Sequence, residues 1–376
     1  MNTLAVETNS RIRLRQPDAK LRCKDLRKVY GSVVALDTTN LEMPEGEFLT
    51  LLGPSGSGKT TLLMLVAGLL AADNGEIWIG DTLASNLPSH ARDIGMVFQS
   101  YALFPHMTVF DNIAFPLEMR RWSSDKIKAA VMQTLELVRL PHVADRYPRE
   151  LSGGQQQRIA LARCFVYKPS IILMDEPLGA LDKKLRDQMQ FEIKQLQAEL
   201  NATVLYVTHD QDEAMAMSDR ICLMNQGGVE QLGTPQDLYF RPASRFAADF
   251  LGESNLLPGR VLKAGARPEA ETLGQRIAAL PTADNLTEGQ AVTVMLRPES
   301  IDIRPKAEAG GLPAVVEMVT MLGGVIRTVL RLSDGTAVTS RMLTRPGGYV
   351  PQTGEAVSFR WQPEAPVLIS RDTTRA

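Results

Sequence analysis

The feature that most constrains the fold is an eight-residue loop, GPSGSGKT, which runs from Gly53 to Thr60. It follows the short apolar segment FLTLL and opens the helix-like segment TLLMLVAGLL. A strand, a glycine-rich loop and a helix in this order are typical of a phosphate-binding loop. The glycines allow backbone N–H groups to point at phosphate oxygens, and the start of the helix adds partial positive charge. The sequence therefore predicts a nucleotide site.

The last residues of the loop have the chemistry that such a site requires. We expect Lys59 to reach the β- and γ-phosphates and Thr60 to ligate Mg²⁺. The alternative is a glycine turn without a ligand, but the flanking strand and helix favour the nucleotide site. The predicted set comprises Gly53, Pro54, Ser55, Gly56, Ser57, Gly58, Lys59, Thr60 and Thr61.

Two carboxylates follow a second apolar run, IILM, at a predicted strand end. Asp175 suits the Mg²⁺ shell, and Glu176 can orient and deprotonate an attacking water. A nucleotide switch or a kinase does not need the adjacent second acid, whereas an ATPase that turns over continuously does need it. The alternative is a strand that ends in solvent at two acids. His209 closes the next strand, TVLYVTH, where either a catalytic role or an ordinary surface or core histidine fits.

The predicted secondary structure changes along the chain. Strand-like runs alternate with helical patterns up to about residue 250, which predicts a mostly parallel sheet covered on its faces. Short strand-like runs separated by Gly, Pro and Asp-Gly turns then predict a small all-β barrel-like domain. We predict a tail at residues 1–20, a nucleotide-binding domain at 21–250 with a helical subdomain at about 100–168, and a β domain at 251–376.

Composition narrows the possible environments. The net charge is −2, so no overall field recruits nucleic acid or anionic lipid. None of the three cysteines lies in a C-x-x-C pair, so neither a disulfide framework nor a zinc site is indicated. The longest apolar run, residues 62–72, is shorter than the ~20 residues that span a bilayer. We expect a cytoplasmic chain that does not cross a membrane by itself and has no nucleic-acid partner.

In this order the motifs resemble the nucleotide-binding subunit of ABC transporters, over roughly residues 21–250. The resemblance implies an α/β P-loop NTPase fold with a mixed sheet and a helical subdomain, followed by a small OB-like barrel of the TOBE type. It implies that ATP and Mg²⁺ are the cofactors. Tyr30 would stack on adenine, Gln99 would touch Mg²⁺ and the attacking water, Asp182 would be the D-loop aspartate and His209 the switch histidine. Gly179 departs from the serine that is common in the D-loop.

The segment LSGGQ, Leu151–Gln155, matches the signature of the same family. Ser152 is expected to cap a helix, and the two glycines leave its positive end open as a second anion site. The resemblance implies that this site contacts the γ-phosphate of ATP on an opposite subunit. The predicted assembly is therefore a head-to-tail homodimer with two ATP sites, to which Ser152, Gly153, Gly154, Gln155 and Asp182 contribute.

The resemblance also implies membrane partners. The aromatic and apolar segment after Gln99, residues 100–115, lies where the family receives helices of membrane subunits, and we expect a docking surface in residues 101–109. The β-rich domain resembles those of importer ATPases, which predicts a separate permease, an extracytoplasmic solute-binding protein and a location on the cytoplasmic face of the cell membrane. The sequence looks most like the spermidine/putrescine type; phosphonate, opine, ferric iron and sugar are the alternatives.

Other classes of P-loop protein fit less well. A DNA-repair ABC ATPase carries a long coiled coil or zinc insertion between Lys59 and Asp175, but the chain has neither a heptad run nor paired cysteines there. A translation-factor type carries two cassettes, and a P-loop kinase lacks LSGGQ. A nucleotide-binding regulator without turnover stays open if Glu176 is not properly placed.

Overall fold

The computed structural model describes residues 19–179, 181–281, 286–305 and 311–370. The predicted tail falls outside these residues, except for its last two positions, which begin the first strand. The chain divides into two compact units. One comprises Met1–Leu49, Gly58–Val207 and Gln226–Gly228, and the other comprises Thr50–Ser57, Thr208–Asn225 and Val229–Ala376. The domain boundary at residue 250 stays a prediction.

The first unit begins with an antiparallel sheet of order β2-β1-β4-β5. Strands β1 and β2 form a long hairpin, and register shifts mark bulges along it. One face is buried by alternate apolar side chains, as a half-buried strand requires. The strands are β1 (Ala19–Tyr30), β2 (Val33–Pro44), β4 (Asn74–Ile79) and β5 (Thr82–Leu83).

Three strands of the first unit lie side by side in the order β8-β7-β6, and both pairs are parallel. Strands β7 and β8 are almost fully buried, as expected for parallel strands covered on both faces, whereas β6 alternates between half-buried and buried residues. Their bounds are β6 (Ile94–Val97), β7 (Ile171–Asp175) and β8 (Val204–Thr208), and the equally buried β3 covers Phe48–Leu52. Strands β3, β7 and β8 lie in FLTLL, IILMDE and TVLYVTH, which the sequence predicts to be extended, and β6 lies in the likewise strand-like segment DIGMVFQ.

The connections are helical. Helix α2 begins with a capping box, in which Thr108 and Asp111 satisfy each other's backbone N–H groups. Apolar residues recur every three or four positions over residues 181–200, which predicts a helix there. The helix begins two residues later, because Asp182 is its N-cap and not part of its first turn. The helices are α1 (Lys59–Ala67), α2 (Val109–Met119), α3 (Ser124–Leu137), α4 (Gly153–Phe165) and α5 (Lys183–Leu200).

The second unit contains short helices and most of the antiparallel strands. Its helices are α6 (Gln211–Met217), α7 (Pro235–Phe240) and α8 (Arg245–Phe250). The strands up to residue 281 are β9 (Arg220–Asn225), β10 (Gly228–Gly233), β11 (Asn255–Lys263), β12 (Glu269–Thr272), β13 (Gln275–Ala278) and β14 (Leu280–Pro281). The remainder are β15 (Ala291–Leu296), β16 (Ile301–Pro305), β17 (Leu312–Leu322), β18 (Val325–Arg331), β19 (Ala337–Leu343), β20 (Ala356–Trp361) and β21 (Val367–Ile369).

Past residue 250 the described residues form two sheets, of order β13-β12-β11-β15-β21-β14 and β16-β20-β17-β18-β19. A common apolar core, which includes Leu257, Val294 and Phe359, fills the space between them. Asn255 bridges the sheets: its Oδ1 accepts from the Thr339 N–H at 2.7 Å, and its Nδ2 donates to the Thr339 carbonyl at 2.8 Å. The all-β prediction for this region is confirmed.

Candidate functional site

The phosphate-binding loop follows β3 and has a backbone that only glycine adopts easily. Gly53, Gly56 and Gly58 have φ values of 155°, 77° and 99°. A Cβ atom at Gly53 would lie 2.2 Å from the Met224 carbonyl oxygen, and one at Gly58 would lie 2.7 Å from that of Ala35. A Cβ atom at Gly56 would meet nothing within 4 Å. Two of the three glycines are therefore required by close packing as well as by φ.

The first residue of α1, Lys59, lies close to the carboxylates at the end of β7. Its side chain is buried, and burial lowers its pKa against the opposing fields of Glu176 and Asp175. The pKa of Asp175 is raised, chiefly by burial and next by the charge of Glu176, although the Thr60 hydroxyl hydrogen bonds to it. The site thus holds two acids, one ammonium and one hydroxyl in close proximity.

This donor set suits a magnesium ion bound together with phosphates. Burial and the neighbouring charge of Glu176 both disfavour the ionised form of Asp175 and raise its pKa, and a cation bound beside the two carboxylates would offset both effects. Among residues 19–179, 181–281, 286–305 and 311–370 no group of three or more His, Cys, Asp or Glu side chains forms a metal site. Mg²⁺ has no need of one, because it is usually held by one or two carboxylates, substrate phosphates and waters.

Glu176 leaves the end of β7 in an unusual backbone conformation. Its φ is 44°, a left-handed value that costs a non-glycine residue about 1–2 kcal/mol. Its N–H donates to the Val207 carbonyl at 3.0 Å, and its carbonyl accepts from the Gly179 N–H at 3.3 Å. Strained residues held by such bonds are concentrated at functional sites. The backbone therefore bends at Glu176, directly after the last residue of β7.

Gln99 reaches the same bend. A Cβ atom at Gly179 would lie 3.7 Å from Gln99 Nε2 and 3.6 Å from the Glu176 carbonyl oxygen. The exposed Gln99 amide is therefore adjacent to the Glu176 turn. These are ordinary van der Waals distances and the φ of Gly179 is not positive, so nothing in the backbone demands glycine there. A serine at this position would fit.

The signature segment begins α4 as predicted, with a capping box. The Ser152 Oγ accepts from the Gln155 N–H at 3.4 Å, and the Gln155 Oε1 accepts from the Ser152 N–H at 3.0 Å. The two glycines differ. Gly154 is buried and its added Cβ would lie 3.1 Å from Leu185 Cδ1, whereas Gly153 is exposed and has no neighbour nearer than 3.9 Å. Gly154 therefore packs closely against α5, where a larger residue would displace the Leu185 side chain, and of the two glycines only Gly153 leaves an open surface.

The remaining predicted residues occupy defined positions. Asp182 caps α5 by accepting from the Leu185 N–H at 3.0 Å. Tyr30, at the tip of the β1–β2 hairpin, is 51% exposed, and the Lys28 ammonium lies 5.4 Å from its ring centroid. Thr61 lies in the first turn of α1. His209 is exposed in the turn between β8 and α6.

Sequence reasoning passed over the residues that hold the His209 turn. Thr208 and Asp210 flank the histidine, and both are hydrogen-bonded to the first turn of α6. A signal was available, because an Asp followed by Gln-Asp-Glu is a typical N-cap with acidic residues in the first turn.

Comparisons with known proteins agree with this geometry. A family model described as ABC transporter matches residues 36–179, and a TOBE domain model matches residues 294–369. The spermidine/putrescine import ATP-binding protein PotA of Lawsonia intracellularis is 49% identical over 284 residues, which cover 75% of this chain and 77% of the relative. The chain belongs to the ABC transporter ATP-binding proteins.

Other relatives extend the similarity along the chain. The protein of the same name from Nitrosomonas europaea is 42% identical over 357 residues, 92% of this chain and 98% of its own. Among solved structures, the dimeric ATP-binding cassette MJ0796, in a post-hydrolysis state with ADP and phosphate, is similar with a TM-score of 0.51 and 34% identity. That similarity covers 57% of this chain and 98% of the cassette.

Membership confirms the predicted family, the α/β P-loop fold and the TOBE-type domain, and it makes the chain an ATP-binding ABC ATPase. In the part of the chain that the structure describes, no helix combines the length and hydropathy needed to cross a lipid bilayer.

Proposed function

We propose that this ABC ATPase is the energy-coupling subunit of an importer and that the imported solute is a polyamine, spermidine or putrescine. The observation that carries the proposal is the similarity to relatives named for spermidine/putrescine import, which extends over 92% of the chain and so includes the TOBE-type domain. The solute itself is selected by partners, so phosphonate, opine, ferric iron and sugar are the competing outcomes of the test.

The proposed roles follow from the geometry of the site. The phosphate loop, with Lys59, binds the β- and γ-phosphates of ATP. Thr60, Asp175 and Gln99 would hold Mg²⁺, which neutralises phosphate charge during transfer. Glu176 accepts a proton from the attacking water. Two backbone hydrogen bonds hold it directly after the last residue of β7. Tyr30 stacks on adenine, as its exposed ring beside Lys28 allows.

Hydrolysis is proposed to occur in a head-to-tail dimer. The exposed start of α4, at Ser152 and Gly153, is an N-terminus that a helix dipole makes attractive to an anion. In the proposed dimer this start, with Gln155 and the cap residue Asp182, faces the ATP of the second copy, so each nucleotide joins two subunits. Two solved structures of MJ0796, to which the chain is similar, are dimers.

The chain is proposed to act at the cytoplasmic face of the membrane through permease subunits, supplied with solute by an extracytoplasmic binding protein. The proposed contact is residues 101–109. The carbonyls of Tyr101 and Ala102 accept from the Arg163 guanidinium at 2.9 and 2.7 Å, and the buried Asn112 amide holds Phe104 through both of its backbone polar groups. The segment is thus fixed from behind and presents Pro105 and His106 to solvent.

Charge placed on this segment should uncouple the ATPase from the permease. Pro105→Glu and His106→Glu should abolish co-purification with the permease and solute uptake, because a carboxylate in an apolar contact is left desolvated. ATP turnover of the isolated chain should be unchanged. Met119→Glu, at a residue 64% exposed at the end of α2, is the matched control and should be silent. Intact uptake and co-purification in both test variants would show that the contact lies elsewhere.

The solute is tested by uptake in cells. Deletion of the gene should abolish uptake of radiolabelled spermidine and putrescine, and a plasmid copy should restore it. The same strains receive a phosphonate, an opine, ferric iron and a sugar in parallel. Loss of one of these with normal polyamine uptake would replace the proposed solute and keep the importer role.

A further inference from the structure

The turn that carries His209 is held by a closed ring of hydrogen bonds. The Asp210 N–H donates to the Thr208 Oγ1 at 3.0 Å, and the Thr208 hydroxyl donates to the Glu213 Oε2 at 2.8 Å. The ring closes through the Glu213 N–H, which donates to the Asp210 Oδ1 at 3.1 Å. His209 is the one residue between Thr208 and Asp210, so both of its backbone neighbours are fixed.

The ring is sheltered from water on its acidic side. Glu213 and Thr208 are each 2% exposed, so water does not compete for the hydrogen bond between them. A buried carboxylate is costly unless it is hydrogen-bonded. An exposed glutamate paired with a lysine would be enough to stabilise the helix. Glu213 is instead buried and accepts a hydrogen bond from the Thr208 hydroxyl. The burial of Glu213 is therefore explained by what it holds.

Helix α6 is also anchored at its other end. The Ser218 hydroxyl donates to the Thr50 Oγ1 at 2.5 Å, and Thr50 lies in β3, directly ahead of the phosphate loop. Ala214 of α6 packs in one apolar cluster with Leu52 of the same strand. The helix is thus a short rigid connection between the strand that leads into Gly53 and the turn that carries His209.

We infer that Glu213 and Thr208 are positioning residues for His209, and that α6 sets the histidine in register with the phosphate loop. The inference rests on the proposed function, and it takes His209 as the switch histidine that contacts the γ-phosphate and the attacking water. The backbone of an exposed turn between a strand and a helix can otherwise adopt many conformations. The ring removes that freedom before ATP binds, so alignment of the imidazole needs no further ordering.

The test is a pair of substitutions that open the ring at nearly constant volume. Thr208→Val removes the hydroxyl and Glu213→Leu removes its acceptor. Each should lower kcat for ATP hydrolysis by about 10- to 100-fold and change KM by no more than about twofold, because a small misplacement of a catalytic group affects chemistry more than binding. Thr208→Ser and Glu213→Gln keep the donor and the acceptor and should retain activity within about threefold.

A double-mutant cycle separates positioning from stability. In a His209→Ala background the same substitutions should cost less than about a further twofold, because no imidazole is left to position. Thr203→Val is the matched control. It removes a buried hydroxyl that precedes the first residue of β8 and accepts a hydrogen bond from the Gly46 N–H at 3.0 Å. This substitution should leave kcat unchanged. If Glu213→Leu does not fold, the double-mutant cycle is measured with Thr208→Val and Thr208→Ser alone.

The outcomes are distinguishable. If Thr208→Val and Glu213→Leu lower kcat equally with and without the imidazole, the ring has only a structural role and the inference is wrong. Full activity of Thr208→Val while His209→Ala is inactive would also overturn the inference. Full activity of His209→Ala would instead remove the proposed role of the histidine and leave the importer assignment to the uptake experiment.

Discussion

Replacement of Glu176 by glutamine should lower ATP turnover by at least about a hundredfold while ATP stays bound. The amide keeps the volume and the hydrogen-bonding oxygen of the side chain but cannot accept a proton from water. The backbone bend at Glu176 is fixed by its bond to the Val207 carbonyl, so the substitution leaves the geometry of the strand end intact. Binding should therefore survive the loss of chemistry, and ATP should hold two subunits together.

Three measurements check this expectation. Phosphate release gives turnover, retention of labelled ATP gives binding, and light scattering with ATP and Mg²⁺ gives the oligomeric state. Glu199→Gln, the same change at an exposed position on α5, is the control and should behave as the unaltered chain. Unchanged turnover in Glu176→Gln would exclude Glu176 as the base. A monomer at saturating ATP, even with the permease present, would exclude the shared-nucleotide dimer.

Replacement of Lys59 by methionine should weaken ATP binding at least about 30-fold. The ammonium is 6% exposed and already lies in the field of two acids, so in the complex it would be the main protein charge that balances the phosphates. Truncation of one partner of a buried charge pair costs about 2–5 kcal/mol, which raises Kd roughly 30-fold or more. In the free protein the same change leaves Asp175 and Glu176 without their nearby cation and raises the pKa of Asp175 further.

Equilibrium binding of a fluorescent ATP analogue measures this loss, and thermal melting without nucleotide measures the effect on the fold. Lys128→Met, at an exposed position on α3, controls for the loss of one positive charge. A Lys59→Met chain that binds ATP with unchanged affinity would show that the loop holds phosphates through its backbone alone.

Local patterns were sufficient for most elements. Strands β3 and β7 each have four apolar residues, and both segments are too short and too apolar for a surface helix. Both were predicted as strands. Strand β9 was missed, because its apolar residues directly follow a helical segment and periodicity alone cannot separate a buried strand from a buried helix. The hairpin of β12 and β13 was also missed, since its two strands, EAET and QRIA, are short and mostly polar.

The sequence by itself determined the family, the phosphate loop and the acids at the end of β7, because these depend on residue types at fixed short spacings. Only the tertiary structure decided that Thr60 bonds to Asp175, that Gly154 packs against Leu185, and that Glu213 holds the His209 turn through Thr208. The first two depend on contacts between segments far apart in the chain, and the third on which way a buried carboxylate faces. Local propensity fixes backbone dihedral angles, whereas packing decides which side chains meet.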